Sequence, residues 1–163
     1  ILRETQAECA WLYETLHAVG GTTGQINYVV WSDVFTCPEC AGEVVFWDAA
    51  VDKDAGQVHD EFACTHCSAQ LTKRGLERAW TTKAIRTAKH SPVMINYSVG
   101  SQRFEKAPDV RDLELIEQLA GKPLSPKIPI DRMIEGTETR RNDPFGITHV
   151  HHFFTPRTLY VLG

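Results

Sequence analysis

No stretch of the chain approaches the roughly 20 apolar residues needed to span a bilayer. The N-terminus lacks the basic segment, apolar segment and small-residue cleavage site of a secretory signal. Membrane insertion and secretion are therefore not expected, and the composition reads as cytoplasmic. Positive charge is also scarce: the formal net charge is −4, so no global field draws the chain to nucleic acid, and any such contact must come from a local patch. P-loop, glycine-rich GxGxxG and nucleophile-elbow motifs are missing, and no Asp/Glu pair stands out as an acid/base couple. The chain by itself does not read as an enzyme. Internal repeats and low-complexity tracts are missing too. An apolar content of 42% over 163 residues is enough for a real core and argues against disorder.

What the sequence does hold is five cysteines, four of them in two pairs. "CPEC" places Cys37 and Cys40 two residues apart, and "CTHC" places Cys64 and Cys67 likewise, with 23 residues between the pairs. This is the spacing of a four-thiolate zinc site built from two knuckles. Two intervening residues let both sulfurs of a pair face inward from one tight turn, and a hairpin between the pairs brings the second turn beside the first. A reducing cytosol keeps such thiols available for metal. Two alternatives compete with it: redox pairs, and unligated buried thiols. A redox motif needs one pair at a helix N-terminus after a strand, whereas both pairs here adjoin turn residues. Four protein thiolates leave no open position for water, so zinc held here is structural. His66, inside the second knuckle, could replace a cysteine, but reads as an exposed knuckle residue. Cys9 is left over.

Leu2, Cys9, Leu12, Leu16 and Val19 recur at spacings that put one apolar stripe on an N-terminal helix ended by Gly20-Gly21, with "GGTTG" a flexible turn. "INYVVWSDVF" reads as a strand leading into the first cysteine pair. "EVVFWDAAV" and "QVHDEFAC" read as a hairpin across "DKDAG". Residues from "LTKRGLERAW" to about 88 read as mainly helical. "PVMINYSV" and "QRFEK" suggest a second hairpin across "GS". "APDVRDLELIEQLAG" is a late helix, opened at Pro108 and Asp109, faced by Val110, Leu113, Ile116 and Leu119, and ended at Gly121. "KPLSPKIPI" through "EGTETRRND" is a long polar loop. The expected class is α+β, divided as an N-terminal helix over 1–25, a zinc ribbon over 26–72, a helical and hairpin segment over 73–125, and a loop with the start of a return helix over 126–163.

Other candidate sites are local. Lys73, Arg74 and Arg78 cluster after the second knuckle, and Arg140 and Arg141 lie in the polar loop, where they could grip phosphates. Acidic residues run through the same segments, so a solvated face is the competing reading. "THVHHFFT" offers His149, His151 and His152. A strand there would put His149 and His151 on one side, but no carboxylate or cysteine completes a ligand set, which favours packed or hydrogen-bonded histidines over a second metal site. The chain starts at Ile1 without Met, and "TPRTLYVLG" breaks off in a helix under two turns long. An isolated helix of that length is unstable, so the natural chain is expected to continue past Gly163.

Taken together, "INYVVWSDVFTCPEC", "CTHCSAQLTKR", "PVMINYSVG" and "TETRRNDPFGITHVHHFFTPR" resemble the middle region of a family of large DNA methylases, N4/N6 amino-methyltransferases that use S-adenosylmethionine. The likeness runs over nearly the whole chain. It implies that the cofactor-binding glycine motif lies upstream and the Asp-Pro-Pro-aromatic catalytic motif downstream of these residues. Asp143-Pro144-Phe145 lacks the second proline, so no catalytic role is carried onto it. The resemblance implies a zinc-bearing insert that meets flanking methyltransferase segments, contacts DNA through the parent enzyme or braces it, and is not catalytic alone. S-adenosylmethionine would belong to the parent enzyme only. The alternative is a free-standing zinc-ribbon module for protein partners.

Overall fold

The computed structural model describes residues 2–81 and 87–163. The stretch 82–86, on which part of the helical expectation falls, lies outside the described residues. In chain order the elements are α1 (Leu2–Cys9), a 3-10 turn (Ala10–Tyr13), β1 (Glu14–Leu16), β2 (Thr23–Thr36), β3 (Glu43–Val45), α2 (Phe46–Ala50), β4 (Val51–Asp52), β5 (Gln57–Val58) and β6 (Glu61–Ala63). There follow β7 (Gln70–Thr72), a 3-10 turn (Lys73–Gly75), β8 (Glu77–Arg78), β9 (His90–Val99), β10 (Gln102–Lys106), α3 (Val110–Gly121), α4 (Thr137–Arg140), 3-10 turns at Asp143–Phe145 and Val150–Phe153, and α5 (Pro156–Leu162). The fold is mixed α+β with short helices and antiparallel strand pairs. Two compact units divide it: 1–30 with 94–163, and 31–93. The chain passes between them within β2 and β9.

In the first unit β1 folds back antiparallel on the start of β2, pairing Glu14 with Gln25 and Leu16 with Thr23. The apolar stripe therefore does not continue as one helix to Gly20-Gly21: helix ends at Cys9, and the tandem glycines, at φ 81° and 66°, form a hairpin loop. Consecutive left-handed residues suit a strand reversal, and Val19 at its tip is 75% exposed. Gly24 belongs to β2, not to the turn, because a Cβ there would lie 2.5 Å from the Tyr97 ring. Ile26, Ile95 and Tyr97 form the buried centre, with Phe104 and Tyr13 against them. The β9–β10 hairpin closes across Gly100-Ser101, with Gly100 at φ 60° and Val99 opposite Gln102. That hairpin agrees with the sequence reading.

Helix α3 starts where Pro108-Asp109 suggested. Asp109 accepts from the N–H groups of Arg111 and Asp112, while the Asp112 carboxylate accepts from the Asp109 N–H, which completes a capping box. Its inward face matches the expected one at Ile116, half-buried, and Leu119, buried, but not in the first turn, where Val110 is 69% and Leu113 44% exposed. Asp112 is buried there instead. The reason is electrostatic. Asp112 accepts a 2.7 Å hydrogen bond from the Thr15 hydroxyl and lies 2.9 Å from the Lys106 ammonium, which also pairs with Asp109 at 2.6 Å. Three charges at the foot of the helix set its rotation, and the apolar period yields to them. Burial opposes charge on Lys106, but the two aspartates outweigh it and raise its pKa.

The second unit is built on its cysteine turns. Each turn joins two antiparallel strands, the end of β2 with β3 (Phe35 opposite Val44) and β6 with β7 (Phe62 opposite Leu71). The hairpin expected between the pairs is broken. Phe46–Ala50 is a short helix, followed by β4 and β5 around a turn in which Asp52 accepts from the N–H groups of Asp54 and Ala55. Helix α2 forms here because Phe46, Ala49 and Ala50 share a face that packs on the same core as Phe62. After the second pair the chain is likewise not mainly helical: Gln70–Thr72 must pair with β6, and Glu77–Arg78 pairs with β2.

Lys106→Met is expected to lower stability in urea unfolding by about 3 kcal/mol, because it leaves Asp112 charged and buried. Adding Asp112→Asn should recover part of that loss, and a strictly additive double variant would show that the pair is not coupled.

Candidate metal centre

The two cysteine turns are copies of one another. In the first, Cys37 donates its N–H to the Gly42 carbonyl at 2.9 Å and accepts at its own carbonyl from the Ala41 N–H at 2.9 Å. In the second, Cys64 donates to Ala69 at 2.8 Å and accepts from Ser68 at 3.0 Å. Ala41 and Ser68, at the same place in each turn, both take positive φ, 57° and 61°. A non-glycine residue held there twice costs on the order of 1 kcal/mol each time, so the surrounding contacts enforce the geometry.

The result brings four sulfurs together. The Sγ atoms of Cys37, Cys40, Cys64 and Cys67 all lie within 4.8 Å of one another. Cys37 is 3.8 Å from Cys67, and Cys40 is 3.9 Å from Cys64. These separations are far beyond a disulfide bond of about 2.0 Å. They match the edge of about 3.8 Å expected for a tetrahedron with a metal–sulfur distance near 2.3 Å. The first cysteine of each pair is buried and the second exposed, so the cluster has a dry side and a wet side. Among the described residues, these are the one set of three or more Cys, His, Asp or Glu side chains whose ligand atoms converge in this way.

The thiols do not behave alike. N–H groups of Cys67 and His66 point at Cys64 and lower its pKa to about 6. An N–H from Ala69 favours the Cys67 thiolate, but burial and the neighbouring thiols prevail and push that group up to about 12. One sulfur ionises readily and its charge opposes ionisation of the next. A divalent cation removes this conflict, because its charge favours all four thiolates at once.

Sequence reading missed how His66 serves the site. It is exposed, as expected, yet its Nε2 donates to the Glu43 carbonyl at 2.7 Å, tying the second turn to the strand that leaves the first. The ring can approach because residue 42 is glycine: a Cβ there would lie 2.8 Å from His66 Cδ2 and 3.3 Å from the Cys40 sulfur. The glycine in "CPECAG" was visible as a turn residue, but only the folded geometry shows what it makes room for.

The candidate phosphate contacts are divided between the units. Lys73 and Arg74 are exposed in the second unit, with the Lys73 ammonium 4.3 Å from the Phe46 ring centroid. Arg78, in the same unit, is held by Asp33 at 2.7 Å. In the first unit Arg140 donates to Asp143 at 2.9 Å and to the Met133 carbonyl at 2.9 Å. Arg141 pairs with Glu138 at 3.0 Å on the surface. His149, His151 and His152 lie on a 3-10 turn and its N-cap rather than on a strand, with ring centroids 4.4 to 5.7 Å apart. No helix among the described residues is long and apolar enough to cross a membrane. Compared with models of protein families, with curated proteins and with solved structures, the chain matches none.

Cys37→Ser or Cys64→Ser should remove stoichiometric metal from the purified chain and disperse the core of Val44, Phe62 and Leu71. The loss is on the order of 10 kcal/mol of binding energy coupled to folding; elemental analysis and methyl NMR read the two effects. Gly42→Ala should keep the metal but speed its transfer to a chelator, by roughly tenfold if about one hydrogen bond's worth of support is lost.

Proposed function

We propose that the four cysteines hold one structural zinc ion and that the chain is an accessory region of a DNA amino-methyltransferase, bracing the parent enzyme or contacting its DNA. The observation that carries the zinc reading is the pair of matched turns whose sulfurs are spaced like the corners of a zinc tetrathiolate. Thiolate ligands select zinc over calcium or magnesium, and four of them fill its coordination sphere, so the ion supplies folding energy and no water activation. Support for the methyltransferase reading is the resemblance carried by the segments around the cysteines, by "PVMINYSVG" and by "TETRRNDPFGITHVHHFFTPR". On this reading S-adenosylmethionine and the target base belong to other parts of the parent enzyme.

Phosphate contact falls first to Lys73 and Arg74, which are exposed in the second unit, and, in the first unit, to Arg141, whose pairing with Glu138 is solvent-screened at 70% and 78% side-chain exposure. Arg78 and Arg140 are bound to carboxylates at short range. A second reading, a surface for protein partners, draws on the exposed Val110, Leu113, Ile130 and Ile134.

Duplex affinity measured against salt separates the two. A DNA contact should weaken with a slope of about −0.9 per phosphate engaged, and Lys73→Ala with Arg74→Ala should flatten the slope by about two phosphates' worth. A flat response or no binding at low salt favours the protein-partner or bracing role. Incubated with S-adenosylmethionine and DNA, residues 1–163 alone should transfer no methyl group; robust transfer would overturn the placing of catalysis elsewhere.

A further inference from the structure

Outside the cysteine site, His149, His151 and His152 form a cluster of three titratable rings. Their rings contact one another at centroid distances of 5.7, 5.0 and 4.4 Å. The cluster sits where two stretches of irregular chain are tied. Met133 donates its N–H to the Thr148 carbonyl at 2.9 Å, and Val150 donates to Asp131 at 3.1 Å. Arg132 and His149 pair as an isolated antiparallel bridge.

Thr148 is the pivot. Its N–H points at Nδ1 of His152 at 3.2 Å, and that same nitrogen lies 2.9 Å from the Gly146 carbonyl. One nitrogen cannot serve both partners. In the neutral Nε2–H tautomer Nδ1 accepts from Thr148; the imidazolium carries a proton on both ring nitrogens, so Nδ1 then donates to Gly146 and leaves the Thr148 N–H unpaired. The Thr148 hydroxyl also bonds Nδ1 of His149 at 2.8 Å. Nδ1 of His151 is buried and has no hydrogen-bond partner, so a proton placed there has nothing to stabilise it.

We propose that these three histidines form a pH-operated clasp: neutral rings keep segment 131–133 bonded to segment 148–150, and protonation releases it. The charged groups on the segments that meet here do not compensate an imidazolium. Asp143 is engaged by Arg140 at 2.9 Å and approached by Arg132 at 3.9 Å, and Glu138 is taken by Arg141. Asp131 and Glu135 are exposed to solvent, and Arg157, beyond the turn, lies over the Tyr13 ring. Burial comes first among the influences that hold His151 and His152 below the ordinary value of 6.5, followed for His151 by the charges of His152 and His149; for His152 the Gly146 carbonyl, next in size, pulls upward, and the charge of His149 adds to the lowering. The direction fixes the sign. The open segment binds protons more readily than the closed one, so closure is complete above the open-state value of about 6.5 and is lost as pH falls below it.

The test is amide hydrogen exchange on the full chain, corrected for the intrinsic rate. Protection of the Met133 and Val150 N–H groups should fall by about tenfold for each pKa unit of depression as pH goes from about 7.5 to about 5. Ile95, in the sheet, should keep its protection, and His151→Leu with His152→Asn should make the fall disappear. The proposal is overturned by unchanged protection in the wild type, by a parallel loss at Ile95, or by an equal fall in the variant. Should the variant not fold, imidazole titration of the wild type by NMR decides: midpoints of His151 and His152 at or above the ordinary histidine value refute the clasp.

Discussion

Four sulfur atoms within 4.8 Å of one another impose a charge problem around which the two cysteine turns of the second unit are built. Thiolates repel at that distance, and neutral thiols gain little from it. The divergent behaviour of Cys64, which readily loses a proton, and Cys67, which resists doing so, records that tension. A cation at the centre turns the repulsion into attraction. The strands, turns and glycine around the cluster place the sulfurs, two of them within the buried core.

Packing follows from the same arrangement. Cys37 and Cys64 are themselves members of the buried core, beside Val44, Ala50, Phe62 and Leu71. Six such side chains make a small core, and small domains bury too little surface to stand without a staple. An edge-to-face run of rings, Phe35 to Phe46 at 5.9 Å and Phe46 to Phe62 at 5.5 Å, links the two hairpins on the apolar side. The sulfur cluster and the aromatic packing thus join the same two turns.

What was legible in the sequence was what depends on fixed covalent spacing. Cys-x2-Cys permits few backbone paths, so both turns could be read directly, as could the Gly100-Ser101 reversal and the Asp109 cap. What failed was inference from apolar period alone. The N-terminal stripe was overridden by tandem left-handed glycines and by strand pairing with β2. The residues after Cys67 look helical in isolation, yet the second turn commits them to pair with β6. The inward face of α3 followed Asp112, because a salt bridge to Lys106 and a bond to Thr15 connect positions far apart in the chain. The link from His66 to Glu43 was invisible for the same reason: it is a contact between turns, and no local pattern encodes it.

The buried carboxylate of Asp112 has a consequence for the helix that carries it. Any rotation of α3 that carried Asp112 outward would strand a charge away from its ammonium and hydroxyl, while Val110 and Leu113 stand in water in the setting observed. Ionic side chains at one end therefore act as a keyway, admitting a single angular setting. The protein accepts oily side chains in solvent at Val110 and Leu113 in return for a helix that cannot spin.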